Sequence, residues 1–386
     1  MSSRRIFASV IAFLVTAGWA ANHFASVLVV LREELHLSPL LVNGAYGIYA
    51  LGLLPSLLAG GALADRFGGR PVVMVGAFTA ALGNLLLMLF HGPAGLMAGR
   101  LVVGLGAGLV ISPGTAWAAR LRGASGATVA GIMLTSGFAL GPVISGVVAT
   151  IFAPVWVPFM LTIAASLAAI AFSVVTGDLP RARMVADQEK SQSRLEPGAS
   201  ASKALATAVP VAMWVFAAIT TSVVGLSARV AEYFSTGVFL PGIAATVGFG
   251  TGLFVQALGR RFNWGPLSGV AGIALAAAGF VVVGLGGATP TLPVFFFSTV
   301  LLGAAYGLCL RDGLLDVNVY APPSHRGRVL GAYYAATYIG FGLPPLLQWL
   351  EPRVGPSLPF FVLAVLAAAA AALRTGQIRS GYLGRS

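Results

Sequence analysis

The stretch GALADRFGGRP, from Gly61 to Pro71, lies between two long apolar segments and holds nearly all the charge in this part of the chain. Its charged side chains are costly in hydrocarbon, so the chain must leave the bilayer here. They are Asp65, Arg66 and Arg70. Gly68 and Gly69 permit a tight reversal, and Pro71 suits the first turn of a following helix, where a missing N–H costs nothing. The pattern predicts a short hairpin between two membrane-spanning helices; a charged turn without a further role is the alternative.

The composition of the whole chain extends this prediction. Of its 386 residues, 58% are hydrophobic and only 9% are charged, whereas a soluble domain carries about 25% charged residues. A membrane-spanning helix needs about 20 predominantly apolar residues. Twelve stretches meet this requirement: Ile6–Leu31, Pro39–Ala62, Pro71–Phe90, Pro93–Ala118, Ser125–Phe152, Val155–Thr176, Ala204–Ala228, Val238–Leu258, Gly265–Gly287, Pro293–Leu315, Val329–Leu350 and Ser357–Leu373. The fold class predicted is an all-α polytopic membrane protein with twelve transmembrane helices.

The distribution of the positive charges predicts the topology. If the N-terminus is cytoplasmic, eighteen of the 23 Lys and Arg residues fall in cytoplasmic segments, and the outer segments hold only Arg32, Arg229 and Arg353. This positive-inside bias predicts a multi-pass protein of the cell inner (plasma) membrane with both termini cytoplasmic. The net charge of +12 then faces anionic lipid headgroups, and we expect no nucleic-acid partner.

The longest polar stretch divides the predicted spans six and six. It runs from Gly177 to Lys203, and its composition is typical of a solvated linker. We therefore predict an N-terminal six-helix bundle at residues 1–176, a cytoplasmic linker at 177–203 and a C-terminal six-helix bundle at 204–386.

The two halves echo one another in sequence. ALADRFGGRP from Ala62 corresponds to ALGRRFNWGP from Ala257, and GFALGP from Gly137 corresponds to GFGLPP from Gly340. Each pair falls at the matching span of its half. This repetition predicts two pseudo-symmetric bundles.

The opening loop resembles the signature G-x-L-a-D-r-x-G-r-k, which joins the second and third helices of major facilitator superfamily transporters. The matching residues are Gly61, Leu63, Asp65, Arg66, Gly68 and Arg70. Gly69 departs from the signature, because that position is usually basic. The resemblance implies a secondary active transporter that works by alternating access, similar to bacterial drug and metabolite exporters coupled to proton entry. A proton-coupled importer and a passive facilitator of a small polar solute are the alternatives within transport.

The resemblance also implies a conformational lock centred on Asp65. In the family, this Asp interacts with the N-terminal end of the eleventh helix and with a basic residue near the inner end of the fourth, which holds the outward-open state. The basic partner here would be Arg120 or Arg122, and Arg66 and Arg70 belong to the same loop. A role of Asp65 in topology alone is the alternative.

Three polar residues within apolar spans are candidates for the coupling site or the cavity wall: Asn22, His23 and Arg100. Arg100 resembles the Arg of the superfamily's fourth-helix motif, and a buried guanidinium needs a partner or a water-filled cavity. Snorkelling to the headgroups is its alternative. His23 changes charge near neutral pH and could take a transported proton, but a plain hydrogen bond to a neighbouring helix is an equal alternative.

A second group of candidates lies at the inner end of the tenth span: Arg311, Asp312 and Asp316. Asp312 and Asp316 share one helix face at a spacing of i, i+4. They could titrate, or they could pair with Arg326 and Arg328 as an inner gate.

Glycines of the fourth and fifth spans predict close helix packing. The fifth span contains G-x-x-x-G-P-x-x-x-G, which resembles the fifth-helix motif of the superfamily's proton-coupled exporters. Its proline removes one backbone hydrogen bond. A kinked packing helix without a coupling role is the alternative. The residues concerned are Gly104, Gly108, Gly137, Gly141, Pro142 and Gly146.

Several other classes of function are disfavoured. An enzyme or a receptor has little room, since the longest segment outside the predicted spans is the linker. Cys309 is the only cysteine, and no His or carboxylate cluster has metal-ligand spacing. No G-x-x-x-x-G-K loop for ATP is present. We expect no catalytic residues, metal or cofactor, a proton gradient as the energy source, and a monomer whose partners are a small-molecule substrate, protons and membrane lipid.

The topology is testable by cysteine labelling. In a Cys309→Ala background, single cysteines placed in the linker should react with a membrane-impermeant reagent only after the cells are broken, because the linker is predicted to be cytoplasmic. Labelling of the linker in intact cells would contradict the predicted orientation.

Overall fold

The structure, a computed structural model, describes residues 3–24, 27, 31, 39–151, 154, 156–177, 199–231 and 240–384. Within these residues the chain forms helices and their connections, with no strand. Residues 178–198 of the predicted linker and Arg32 lie outside the described residues. The helices are α1 (Ser3–Asn22), α2 (Pro39–Phe67), α3 (Gly69–Leu89), α4 (Pro93–Ile151), α5 (Trp156–Thr176), α6 (Ala201–Thr220), α7 (Ser227–Ala231), α8 (Leu240–Arg261), α9 (Leu267–Gly286), α10 (Leu292–Tyr320), α11 (Arg326–Tyr338), α12 (Leu343–Val354) and α13 (Leu358–Arg379).

The all-helical membrane class predicted from composition is confirmed. Among the described residues, 10 helices are long and apolar enough to cross a membrane. The fourth and fifth predicted spans lie in the single long helix α4, which is interrupted by non-helical backbone at Arg122 and Gly123. The eleventh predicted span is divided between α11 and α12 by a 3-10 segment, Ile339–Gly342. The count of twelve therefore stays a prediction.

The predicted hairpin between the second and third spans is present. Helix α2 ends at Phe67 and α3 begins at Gly69, and Gly68 between them has a φ of +91°. Only glycine adopts that backbone conformation without strain. A Cβ atom on Gly69 would lie 2.7 Å from the Cβ of Trp117, which explains why the usual basic residue is absent at this position.

The chain divides into two compact units. The first contains Met1–Leu205 and Leu314–Ala335, and the second contains Ala206–Gly313 and Ala336–Ser386. The end of α10 and most of α11 thus pack with the first unit. The predicted bundle boundaries, which assign the whole of 204–386 to one bundle, stay a prediction.

Glycines allow three helices of the first unit to pack at very short distance. A Cβ atom on Gly137 would overlap the carbonyl oxygen of Val15, so α1 and α4 meet backbone to backbone there. A Cβ atom on Gly104 would overlap the carbonyl oxygen of Tyr49, and one on Gly108 would overlap the hydroxyl of a serine in α2. Small residues permit this approach where larger side chains would separate the helices.

The remaining residues of the fifth-span motif lie in the second half of α4. A Cβ atom on Gly141 would lie 3.1 Å from both the backbone nitrogen of His23 and the carbonyl oxygen of Trp19, so this glycine also faces α1. Pro142 is buried within the helix, and Gly146 is partly exposed. The non-helical backbone of α4 is at Arg122 and Gly123 rather than at Pro142.

In the second unit, two irregular helical segments are joined to each other. A π-helical segment, Thr221–Leu226, follows α6, and the 3-10 segment Ile339–Gly342 follows α11. The hydroxyl of Thr220 donates a hydrogen bond to the carbonyl oxygen of Gly340 at 3.0 Å. The same carbonyl oxygen also accepts from the backbone N–H of Leu343, so the hydroxyl of Thr220 adds a second donor to it.

The packing role of Gly104 is testable. Gly104→Ala should lower the free energy of unfolding by about 1–3 kcal/mol, because the added methyl group must displace the backbone of α2. Gly47→Ala is the control, since a Cβ atom there meets nothing within 4 Å. Thermal unfolding in detergent measures both. Equal midpoints for the two variants would contradict the close packing of α2 and α4.

Candidate functional site

Asp65 accepts two hydrogen bonds from the beginning of α11. Its Oδ1 accepts from the backbone N–H of Gly327 and its Oδ2 from that of Arg328, each at 2.9 Å. These N–H groups belong to the first turn of a helix, where no partner exists within the helix itself. The carboxylate also lies at the positive end of the helix dipole, so charge and hydrogen bonding act together.

Close backbone approach makes this interaction possible. A Cβ atom on Gly61 would overlap the carbonyl oxygen of Gly327, and a Cβ atom on Gly327 would lie 2.7 Å from Oδ1 of Asp65. Helix α4 contributes as well, since Ser112 donates to the carbonyl oxygen of Gly327 at 3.3 Å. We call Gly61, Asp65, Ser112, Gly327 and Arg328 the Asp65 seam. It joins α2, α4 and α11 within the first unit.

Positive charge surrounds the carboxylate. Arg120 acts on Asp65 electrostatically, as the resemblance implies for one of two candidate arginines. Arg326, which is buried, is the residue next to the seam, and its pKa is lowered to about 10 by burial and by Arg120, while Asp65 opposes the shift. Removing the charge of Asp65 would leave these two cations facing one another.

The other basic residues predicted for the lock make different contacts. The guanidinium of Arg122 lies 3.7 Å from the ring centre of Phe7, and that of Arg66 lies 5.1 Å from the ring of the residue that follows it. Arg70 donates to the carbonyl oxygen of Ser173 at 2.9 Å and so joins α3 to α5. The structure therefore brings Arg120, but not these three residues, to Asp65.

His23 and Asn22 contact different helices. Nε2 of His23 lies 2.7 Å from Oδ1 of Asn84, and the ring of Phe159 meets the imidazole edge to face at 5.3 Å. His23 is fully buried. Asn22 donates to the carbonyl oxygen of Phe138 at 2.8 Å, in the second half of α4. The structure thus contains the hydrogen bond to a neighbouring helix that is one of the two alternatives for His23. This hydrogen bond is compatible with the second alternative, uptake of a transported proton.

Arg100 is buried rather than extended to the headgroups, with an exposure of 1%. It donates to the carbonyl oxygens of Ala45 and Ala21, both at 3.3 Å. Its guanidinium also lies 4.6 Å from the ring centre of Phe24 and 4.3 Å from that of Tyr49. Carbonyl dipoles and aromatic faces partially compensate a buried cation while leaving its charge in place.

The second unit contains a separate buried polar cluster around Asp312. Its carboxylate forms an ion pair with Arg374, and both side chains are fully buried. Ser268 donates to the other carboxylate oxygen at 3.0 Å, and Arg374 donates to the carbonyl oxygen of Thr207 at 2.6 Å. Arg311 extends the cluster by donating to Ser268 at 3.3 Å.

Asp316 belongs to the first unit and is also fully buried. Asp312 and Asp316 both lie in the uninterrupted helix α10, so their i, i+4 spacing on one helix face is present. The partners that sequence reasoning missed are Asn84 and Arg374. Asn84 is an amide inside the apolar third span, which is a usable signal, whereas Arg374 looked like one more cytoplasmic charge.

Comparison with known proteins gives a family match over most of the chain. The family model described as Major Facilitator Superfamily matches residues 8–340.

Two curated relatives match over short segments. Multidrug resistance protein MdtL of Klebsiella pneumoniae (strain 342) is 32% identical over 78 residues, which cover 20% of this chain and 20% of that protein. The uncharacterized MFS-type transporter STM4428 of Salmonella typhimurium is 32% identical over 102 residues, or 24% of this chain and 26% of that protein. The matches thus cover only a minor part of either relative.

Solved structures match over nearly the whole chain. The human organic anion transporter MFSD10 (TETRAN) aligns with a TM-score of 0.73 at 17% identity, over 97% of this chain and 100% of that chain. The proton:xylose symporter XylE aligns with a TM-score of 0.71 at 14% identity, over 97% and 95%. At these identities the likeness concerns the fold.

The Asp312 cluster generates a stability prediction. Asp312→Asn should lower the free energy of unfolding by about 3–5 kcal/mol, because Arg374 is left as an uncompensated buried charge. The double variant Asp312→Asn with Arg374→Met removes that charge and should recover much of the loss. Thermal unfolding of the purified variants checks this. A double variant less stable than Asp312→Asn would contradict the charge explanation.

Proposed function

Because the chain belongs to the major facilitator superfamily, a family of membrane transporters, we propose that it is a secondary active transporter that exports a small molecule in exchange for protons. Alternating access would carry the substrate, with the protein opening first to one side of the membrane and then to the other. The protein would reside in the inner membrane with both termini in the cytoplasm.

The observation that carries this proposal is the Asp65 seam. It is a contact that depends on one charge and on the close approach of two glycine backbones, so it can form or separate as a whole. Under the predicted topology the seam lies at the cytoplasmic ends of α2 and α11. Opening a cytoplasmic pathway between these helices requires Asp65 to leave the N–H groups of Gly327 and Arg328, which then return to water. The seam therefore supports a role as a closed cytoplasmic gate.

Export with proton exchange has separate support. The second half of α4, which carries the glycine and proline motif similar to that of proton-coupled exporters, packs directly on α1. Gly137 meets Val15 and Phe138 accepts from Asn22, so the motif contacts the helix immediately before His23. The name of one relative, multidrug resistance protein MdtL, suggests an organic compound as the exported substrate.

Transport into inverted membrane vesicles tests the proposal. A panel of organic compounds is offered with and without a pH gradient, acid inside. We expect at least one compound to accumulate only with the gradient. Accumulation driven by the opposite gradient would instead favour an importer, and equilibration without any gradient dependence would favour a passive facilitator.

The gate is tested in the same vesicles with Asp65→Asn. We expect reduced transport and a change of about tenfold in the ratio of inward-open to outward-open molecules, which corresponds to a coupling energy of about 1.4 kcal/mol. Single-cysteine accessibility from each side reports this ratio. Arg261→Gln is the control, because it removes an exposed charge at the end of α8 in the corresponding loop of the second half. An Asp65→Asn variant with unchanged transport and accessibility would limit Asp65 to a role in topology.

A further inference from the structure

We propose that His23 is the proton-binding group of this exchange and that Asn84 positions it so that the proton is taken up at Nδ1. The proposal rests on proton-coupled transport as proposed above and adds to it the atom that binds the proton. It is based on the hydrogen bonds of two buried side chains, His23 directly after the end of α1 and Asn84 in α3.

The orientation of the Asn84 side chain decides which nitrogen of His23 carries the hydrogen. Nδ2 of Asn84 donates to the carbonyl oxygen of Ala80 at 2.9 Å, so the amide nitrogen is committed to its own helix. Oδ1 therefore faces Nε2 of His23, at 2.7 Å, and an amide oxygen only accepts hydrogen bonds. Nε2 must be the N–H donor, and neutral His23 is held as the Nε2–H tautomer.

This tautomer leaves the lone pair of Nδ1 available. Nδ1 of His23 is buried and has no hydrogen-bond partner in the described part of the chain. A buried acceptor without a partner costs free energy, and protonation or a water molecule would satisfy it. The fold thus maintains an unsatisfied basic nitrogen among buried side chains.

The groups packed around the imidazole favour a reversible charge. Helix α3 supplies Asn84, α5 supplies the ring of Phe159, and α4 supplies Arg100, which acts on His23 electrostatically. Arg100 is the charged group that faces the imidazole from the described residues. Its positive charge opposes the imidazolium, whereas the Asn84 oxygen accepts from Nε2–H in both protonation states.

The proton step involves no other bond. A proton from the aqueous phase on one side binds to the lone pair of Nδ1 and makes the imidazolium, while Nε2–H stays bonded to Asn84. When access changes to the other side, the repulsion from Arg100 favours release of the same proton from Nδ1 to water. The neutral tautomer is restored, and a single proton has crossed.

The buried Asp312 is poorly suited to the same task. Its carboxylate forms an ion pair with Arg374 and accepts a hydrogen bond from Ser268, so both of its oxygens already have a partner. We therefore assign the transported proton to His23, with Asp316 as the carboxylate to examine if this assignment fails.

Nitrogen NMR of the purified full chain tests the tautomer. The protein has four histidines, so uniform labelling of histidine with ¹⁵N gives few signals, and His23→Gln identifies those of His23 by their loss. We expect the shifts of the Nε2–H tautomer at neutral pH and protonation of Nδ1 on acidification. Asn84→Leu should lose the tautomer preference. Thr79→Ala on the same helix, whose exposed hydroxyl donates to the carbonyl oxygen of Val75, should keep it. A hydrogen on Nδ1 in the neutral wild-type protein would overturn the assignment.

Transport measurements test the function of the same atom. We expect His23→Gln to lose gradient-driven accumulation while it keeps exchange of labelled for unlabelled substrate, which needs no proton. Asn84→Leu should keep accumulation but shift its pH profile, whereas a merely structural Asn84 would lower transport equally at every pH. Gradient-driven accumulation by folded His23→Gln would overturn the proton assignment while leaving the exporter proposal intact. Gradient-independent transport by the wild-type protein would instead refute proton coupling itself, and the NMR titration would still report the protonation site.

Discussion

Two backbone N–H groups at the start of α11 have no partner in their own helix, and the carboxylate of Asp65 supplies one for each. The other features of the Asp65 seam, its glycine contacts and its nearby arginines, depend on this interaction. The carboxylate reaches the helix end only because Gly61 and Gly327 allow their backbones to touch. Its negative charge also opposes the repulsion that Arg120 exerts on Arg326. The gate that we propose is therefore a helix-capping interaction between two different helices, which makes it sensitive to a single charge.

Buried charges elsewhere in the protein are compensated by a different chemistry in each place. Arg100 is surrounded by carbonyl oxygens and aromatic rings. These groups leave its positive charge in place, and it acts electrostatically on His23. Asp312 has a guanidinium and a hydroxyl, so its charge is cancelled locally. A charge that is compensated by dipoles can act on a neighbour, whereas a charge in a tight ion pair is largely cancelled by its partner, and removing either partner is destabilising. Arg100 can therefore influence proton binding at a neighbouring side chain, whereas the ion pair of Asp312 with Arg374 joins α10 to α13.

The glycines of the fifth-span motif pack the second half of α4 against α1. Gly137 and Gly141 bring the second half of α4 against α1, and Asn22 donates to the carbonyl oxygen of Phe138. A change of charge at His23 therefore occurs directly after the end of α1, the helix whose backbone touches the motif. The glycines provide the short distance through which such a change can affect α4, which is a more specific role than smooth packing alone.

The sequence by itself determined the all-helical membrane class and the hairpin at Gly68, because these depend on local composition and on the cost of charge in hydrocarbon. It also pointed to Asp65 and the helix end that Asp65 meets, through the resemblance of one loop. Only the tertiary structure decided that His23 bonds to Asn84 and Asp312 to Arg374, since these partners are 61 and 62 residues apart and no local pattern relates them. The same holds for the choice of Arg120 over Arg122, because residues two apart on one segment point in different directions, and packing alone decides which one faces the carboxylate.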